Sequence, residues 1–380
     1  MKVLILSEYP PAPGGLSTQG ELLYRGLREI GVDVRPVDLE SSPEKEWYYR
    51  WFRPDVALGI GYWGHTPDLV LHPKRFGVLP VPWLVADGFI AAYCDVLNEL
   101  PLILVTSTWV RDVYARDGVN RDIIDVLPVG CDTDAFVPRS RDDPEVVAVR
   151  ESFGVAPGEV MLLTVGGDAA SKGAREVMQA LAGVKDSLPP WRYVCKVWPQ
   201  PRSEVQNRAD LELAADLGLA DRVSYVSGRV SRNFMPYLLA ACDIYAGPSR
   251  LDGFGMPQVE AGACGKPVIG INAMALLDTL VHGETALLAS VGQEIHIGET
   301  TLGAEAGFPN PVHVTFNPPV ISDYRASSSD IASFLVMLMN DPNLRLRLGQ
   351  AARARVVAHY DYRIVAADCA RILTHRLGIQ

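Results

Sequence analysis

An α/β fold of two doubly wound, Rossmann-like parallel-sheet domains is what the sequence predicts, and three observations predict it. Short apolar runs alternate with helical patterns along nearly the whole chain. A polar, proline-bearing stretch, Pro138-Arg139-Ser140-Arg141-Asp142-Asp143-Pro144, interrupts the alternation, which then restarts. Both halves open alike, with an apolar strand running into a glycine loop: Pro10-Pro11-Ala12-Pro13-Gly14-Gly15 in the first and Val165-Gly166-Gly167-Asp168-Ala169-Ala170-Ser171-Lys172-Gly173 in the second. At 380 residues the chain is also long for a single core, which favours two domains.

In the first half the apolar runs predict strands over Lys2–Ser7, Val32–Val37, Asp55–Ile60, Val78–Val85, Leu102–Ser107 and Ile123–Pro128, with helices over Leu16–Ile30 and Thr108–Arg116. After the linker, strands are expected over Val160–Val165, Tyr193–Val197, Val223–Val226, Ile244–Ala246, Pro267–Ile271 and Ala286–Ala289. Helices are expected there over Gly173–Leu181, Ser203–Leu217, Phe234–Ala241 and Met256–Cys264. Residues 290–325 break the pattern, being rich in Gly, Pro, Ser and Thr. They read as an inserted excursion with a short hairpin around Val312–Phe316. Helices over Asp330–Met339, Asn343–Ala358 and Tyr362–Leu377 close the chain. The domains are therefore placed at 1–140 and 145–360, the second carrying the excursion at 290–325.

The formal charge of −10 argues against a nucleic-acid binder, which is usually basic. No apolar run approaches the ~18 residues of a membrane span, so only peripheral membrane contact is left open. The start, MKVLILSEYPPAPGG, reads as a buried strand and not as a signal peptide. The six cysteines are scattered without a CxxC pair. They read as reduced thiols of a cytoplasmic protein rather than a disulfide framework or zinc site. Nothing points to an oligomeric state.

The richest stretch is residues 243–270, DIYAGPSRLDGFGMPQVEAGACGKPVIG. It reads as strand, glycine loop, helix, strand. Backbone N–H groups at the helix start suit a phosphate, and two acids with seven residues between them, Asp252 and Glu260, lie at the loop and about two turns along the helix, where ribose hydroxyls are within reach of a carboxylate. Glu260 sits among Val259, Ala261 and Ala263. That predicts a buried carboxylate, which needs a partner. Lys172 at the mouth of the second glycine loop is a candidate to neutralise a diphosphate. Neither glycine loop has the GxGxxG spacing of dinucleotide binding or the spacing of a P-loop. Asp132-Thr133-Asp134 has a DxD form but precedes Phe136 and Pro138 and reads as turn chemistry. No metal site and no cofactor are expected.

Taken together and in order, these motifs resemble the retaining glycosyltransferases of family 4, the glycosyl transferases group 1, with the GT-B fold. The resemblance rests on the second glycine loop with Lys172-Gly173, the strand Asp243 to Ser249, the acid-x7-acid element, and Pro128-Val129-Gly130-Cys131-Asp132-Thr133-Asp134-Ala135-Phe136-Val137-Pro138 before the linker. It covers most of the chain and is weakest at 38–75 and 290–325. It implies two Rossmann-like domains facing across a cleft, with a nucleoside diphosphate sugar held by the C-terminal one and a hydroxyl acceptor by the N-terminal one. The helix at about 362–380 would pack back onto the N-terminal domain. Residue by residue, the resemblance implies that Glu260 holds the donor ribose, that Asp252 lies near the donor sugar, and that the backbone of Gly253, Phe254, Gly255 and Met256 touches sugar and diphosphate. Lys172, with Gly166 and Gly167, would hold the phosphates, Gly14 and Gly15 would lie beside them, and Gly228 and Arg229 would cradle the base. The implied reaction is transfer of a hexosyl unit from a UDP- or GDP-sugar with retention and without a metal. A non-catalytic sugar-nucleotide-binding protein, a nucleotide-sugar epimerase of the same fold and a sugar-phosphate synthase with a phosphorylated acceptor are the alternatives.

Two departures stand out. The family commonly has arginine where this chain has Gly167, which leaves one diphosphate cation to be replaced, with Arg250 and Lys196 as candidates. The family often has histidine at the end of the strand Val81–Val85, where this chain has Ala86-Asp87-Gly88. Asp87 reads equally as a group orienting a sugar hydroxyl and as a helix N-cap. His65 is a further candidate for the site or an incidental loop histidine. The aromatic run Trp47-Tyr48-Tyr49-Arg50-Trp51-Phe52-Arg53 is open between an acceptor platform, a membrane or partner patch, and a helix packed beneath the next strand.

Overall fold

The computed structural model describes residues 1–86, 88–303, 308 and 310–379, without the side chains of Pro201 and Arg202. Asp87 lies outside the described residues. The first sheet comprises β1 (Lys2–Ser7), β2 (Asp33–Asp38), β3 (Val56–Tyr62), β4 (Leu79–Val85), β5 (Ile103–Val105) and β6 (Ile124–Val126). Its intervening helices are α1 (Gly15–Glu29), α2 (Ser42–Trp51), α3 (His72–Arg75), α4 (Cys94–Asn98) and α5 (Thr108–Arg116). After α6 (Pro144–Ser152), the second sheet comprises β7 (Val160–Val165), β8 (Trp191–Val197), β9 (Val223–Ser227), β10 (Ile244–Ala246), β11 (Val268–Ile271) and β12 (Ala286–Ala289). Its helices are α7 (Ala174–Val184), α8 (Pro201–Asp216), α9 (Met235–Ala241), α10 (Met256–Ala263) and α11 (Leu276–Thr279). A two-stranded ribbon, β13 (Val291–Leu302) and β14 (Val312–Ala326), precedes α12 (Ser328–Asn340), α13 (Pro342–His359) and α14 (Tyr362–Leu377).

Both six-stranded sheets are parallel, in the orders β2-β1-β3-β4-β5-β6 and β12-β11-β10-β7-β8-β9. Their inner strands are covered on both faces and read as largely continuous apolar runs: every residue of β7, VMLLTV, is buried, whereas β2, β6 and β9 at the sheet edges are partly exposed. In each sheet the chain leaves its first strand toward one edge and returns to the other side of it. The switch points are therefore between β1 and β3 in one sheet and between β7 and β10 in the other. Open α/β sheets bind ligands outside the carboxyl ends of strands at such points.

The chain forms two compact units, one of Met1–Asp132, His296–Ser322 and His359–Gln380, the other of Thr133–Ile295 and Asp323–Ala358. The division falls between Asp132 and Thr133, where the sequence placed it at 140–145. In the first unit α14 packs along α1. The contact is close, since a Cβ on Gly26 would lie 2.5 Å from the Ala366 Cβ and 2.8 Å from the Tyr362 carbonyl oxygen. Arg25 lies over the Tyr362 ring at 4.6 Å and pairs with Asp132 at 2.7 Å, while the Tyr362 hydroxyl donates to Glu29 at 2.7 Å.

The ribbon is the chief departure from the sequence reading. The short hairpin expected around Val312–Phe316 is part of a pair of strands of 12 and 15 residues. Residues His296–Ser322, expected in the second domain, cluster with the first unit. The reason is apolar. Leu302 is buried in the first unit's core with Val314 packed against it. Phe308 lies 6.3 Å from Trp63 and 6.1 Å from Tyr93, and Phe316 lies 4.8 Å from Phe89.

The aromatic run forms α2, with Tyr49 and Phe52 buried. Trp47 and Trp51 instead stack on each other at 4.8 Å on the outer face, 53 and 58 % exposed. The helix is therefore packed on one side only. No helix among the described residues is long and apolar enough to cross a membrane.

Candidate functional site

In the second unit, the loops after β7 and β10 meet at the switch point, and they bring Lys172 and Asp252 together. The Lys172 ammonium donates to the Asp252 carboxylate at 2.9 Å. The second Asp252 oxygen accepts from the N–H groups of Phe254 at 3.2 Å and Gly255 at 2.7 Å. Burial alone would raise the Asp252 carboxyl. Lys172 and the two backbone donors outweigh it and hold the carboxyl below its ordinary 3.8. Asp252 is thus a charged group that shapes the turn into α10, and two of the four backbone segments expected at the diphosphate, Phe254 and Gly255, already donate to it.

The two loops touch main chain to main chain. Gly173 has φ +84, and a Cβ there would collide with the Pro248 carbonyl oxygen, so only glycine serves at this crossing. Arg250 N–H donates to the Ser171 carbonyl at 2.9 Å, and buried Gln258 donates from Nε2 to Gly247 O and Ser249 Oγ, both at 2.9 Å. The neighbouring glycines differ. A Cβ on Gly166 would lie 2.6 Å from the Asp168 carbonyl oxygen, whereas one on Gly167 would, among the described residues, first meet the Trp198 ring at 3.7 Å.

Glu260, on α10, is buried as expected, and its partner in the structure is Arg232, whose Nη1 donates to Oε1 at 2.6 Å. Arg232 stands in the loop after β9 and lies over the Phe136 ring at 4.9 Å. Gly228 and exposed Arg229 begin the same loop. Neither proposed substitute for the missing cation is available to a diphosphate. Arg250 is held bidentately by Glu176, Nη2 to Oε1 at 2.7 Å and Nε to Oε2 at 3.3 Å. The Lys196 ammonium donates to the carbonyls of Val197, at 2.9 Å, and Gly228. Burial lowers the Lys196 pKa, and its contribution is to fix the loop that starts at Gly228. Arg232, Glu176 and Gln258 escaped the sequence reading. Their partners are 28, 74 and 11 residues away, beyond any local spacing rule.

In the first unit, Gly14 and Gly15 begin α1 at the carboxyl end of β1, with no side-chain cap and no acidic residue in the first turn. The helix there presents its positive end. His65 lies past β3, half-buried, 4.2 Å from the Tyr62 ring, and burial lowers its pKa from 6.5. Of the DxD residues, Asp132 is committed to Arg25. Among the described residues no group of three or more His, Cys, Asp or Glu side chains is arranged to hold a metal. Burial pushes the thiols of Cys195, Cys242 and Cys369 up to about 12, which leaves them protonated and poor nucleophiles.

Comparison with known proteins agrees with this architecture. Residues 148–300, which include Lys172, Asp252 and Glu260, match the family model described as "Glycosyl transferases group 1". The chain is 32% identical over 234 residues, 61% of its length and 51% of the relative's, to the D-inositol 3-phosphate glycosyltransferase of Mycolicibacterium smegmatis. It spans about half the length of the curated relatives it matches. Two solved structures share the fold over 99% of this chain, each at 16% identity: Anabaena HepE in complex with UDP and glucose, 100% of it covered with a TM-score of 0.72, and the sucrose-phosphate synthase of Thermosynechococcus elongatus, 99% covered with a TM-score of 0.76. The paired doubly wound architecture is that of the GT-B glycosyltransferases.

Proposed function

We propose that this protein is a retaining glycosyltransferase that moves a hexosyl unit from a UDP- or GDP-sugar to an acceptor hydroxyl. The observation that carries the proposal is the Lys172–Asp252 pair at the switch point between β7 and β10, inside the segment that matches the glycosyltransferase family. UDP and glucose bound to a protein of the same fold support the donor class. When the anomeric C–O bond breaks, charge develops on the departing diphosphate. Lys172 and the backbone at the start of α10 stabilise it, each donor contributing ~3 kcal/mol. Glu260 accepts hydrogen bonds from the ribose hydroxyls. Asp252, committed to Lys172 and the turn, and Glu260, paired with Arg232, are not free to attack carbon. Front-face attack, with the departing phosphate taking the acceptor's proton, fits those engagements.

A melting screen with UDP, GDP and their hexosides tests the donor. A ligand at 100 times its Kd stabilises the fold by about 2.7 kcal/mol, a shift of several degrees. No shift with any nucleoside diphosphate would end the donor reading. An inverted linkage in the product would end retention, and donor turnover without any acceptor would favour the epimerase.

Gly167 provides a further test. Gly167→Arg places a guanidinium where the family's cation stands, and among the described residues a Cβ there meets the Trp198 ring at an ordinary 3.7 and 4.0 Å. The variant is expected to keep its melting temperature and to lower the donor KM by roughly fivefold, the worth of one partly exposed charge contact near 1 kcal/mol. Gly166→Ala, which must push aside the Asp168 carbonyl, is the contrasting control and should weaken donor binding.

A further inference from the structure

We infer that Glu176, together with the root of the inserted ribbon, positions the donor loop: it holds Arg250, and Arg250 holds the loop of Lys172 and the loop of Asp252 in register. The inference rests on the reading of those loops as the donor site.

Arg250 is bonded on three sides. Its N–H donates to the carbonyl of Ser171, the residue before Lys172, at 2.9 Å, and its own carbonyl accepts from the Tyr324 N–H of β14 at 2.8 Å. Its guanidinium makes the bidentate contact to Glu176, in the first turn of α7. Arg325 of β14 approaches the same Glu176 oxygen at 3.6 Å and is itself paired with Asp323 at 2.8 Å. Arg250 and Glu176 are both buried, at 8 and 5 % exposure. A buried bidentate pair has one geometry, and breaking it strands a charge. Two residues on from Arg250 stands Asp252, so the backbone that Arg250 fixes is the backbone that aims the carboxylate at Lys172. The ribbon is therefore more than a surface excursion. Its root is bonded to the wall of the site through the Tyr324 N–H and Arg325.

The test is amide exchange on the full chain, read by mass spectrometry, for the wild type, Glu176→Gln and Arg325→Met. Arg325 is partly exposed, so its variant remains informative if Glu176→Gln fails to fold. In both variants, peptides covering residues 166–173 and 247–258 are expected to exchange faster, by about tenfold in Glu176→Gln and less in Arg325→Met, while peptides from β7 and β10 keep wild-type protection. Saturating UDP or GDP, whichever stabilises the wild type, should restore protection of the two loops in the variants and add little in the wild type. Wild-type exchange in both loops of Glu176→Gln, or a uniform loss of protection in Arg325→Met, would overturn the inference by showing no role or a general brace of the fold. If neither nucleotide binds the wild type, the donor reading falls, while the exchange pattern still decides whether Glu176 orders the loops.

Discussion

Replacing Lys172 with methionine is expected to cut turnover by about 100- to 1,000-fold, the loss seen when a preorganised charge donor is removed from a developing anion. Donor KM should change much less, because the leaving diphosphate gains negative charge only as the bond breaks. The change also leaves Asp252 without its ammonium partner in a site where its side chain is only 11% exposed, so some loss of stability will accompany it. The double variant Lys172→Met with Asp252→Asn separates the two effects. An asparagine oxygen still accepts from Phe254 and Gly255, so melting temperature should recover while turnover does not. Recovery of turnover in the double variant, or near-wild-type kcat in the single one, would remove Lys172 from the chemistry. The pH sense is fixed by the lowered Asp252 pKa: the pair's contribution is complete above the ordinary 3.8 and is lost only as pH falls through the lower folded value. The difference between wild type and Lys172→Met should therefore be flat from pH 5 upward as far as Asp252 is concerned.

Glu260→Gln carries the second large effect. Glutamine keeps an oxygen for Arg232 but gives up the charge and one acceptor, and a ribose diol presents two hydroxyls. Hydrogen bonds to charged groups are worth about 1.5–3 kcal/mol, so UDP or GDP affinity should fall by about 10- to 100-fold, measured by calorimetry or by the loss of the melting shift. Because Arg232 already engages the carboxylate at 2.6 Å, the unliganded variant is expected to melt lower than the wild type as well. Undiminished nucleotide binding in Glu260→Gln would mean that the carboxylate serves Arg232 and the fold alone.

These two residues show what could be read before any coordinates. Every predicted strand of both sheets is present: the inner ones are largely unbroken apolar runs, and the partly exposed β2, β6 and β9 still carry valine or isoleucine. The turn at Asp252 and the burial of Glu260 were legible for the same local reason. The partners were not. Arg232 and Glu176 meet partners 28 and 74 residues away, and Gln258 reaches back 11 residues across the turn between β10 and α10, separations that no local spacing rule joins. The ribbon was under-read because it buries little. β13 shows the burial pattern ieeeieieeieB, so most of it is exposed, and its Gly and Thr, with the Pro318-Pro319 pair of β14, mimic a loop. Val312, Val314 and Phe316 form the longest clear alternation, and that is where the hairpin is expected.

The first unit is stitched from three separated pieces of chain, Met1–Asp132, His296–Ser322 and His359–Gln380. During synthesis the ribosome must therefore deliver the whole of the intervening polypeptide before α14 can cover α1. At 5–20 residues per second that is roughly ten to fifty seconds. Throughout that interval the face of α1 around Gly26, made smooth for Ala366 and Tyr362, has no helix to meet. The nascent amino-terminal sheet is thus a waiting template whose α1 face stays uncovered until α14 emerges.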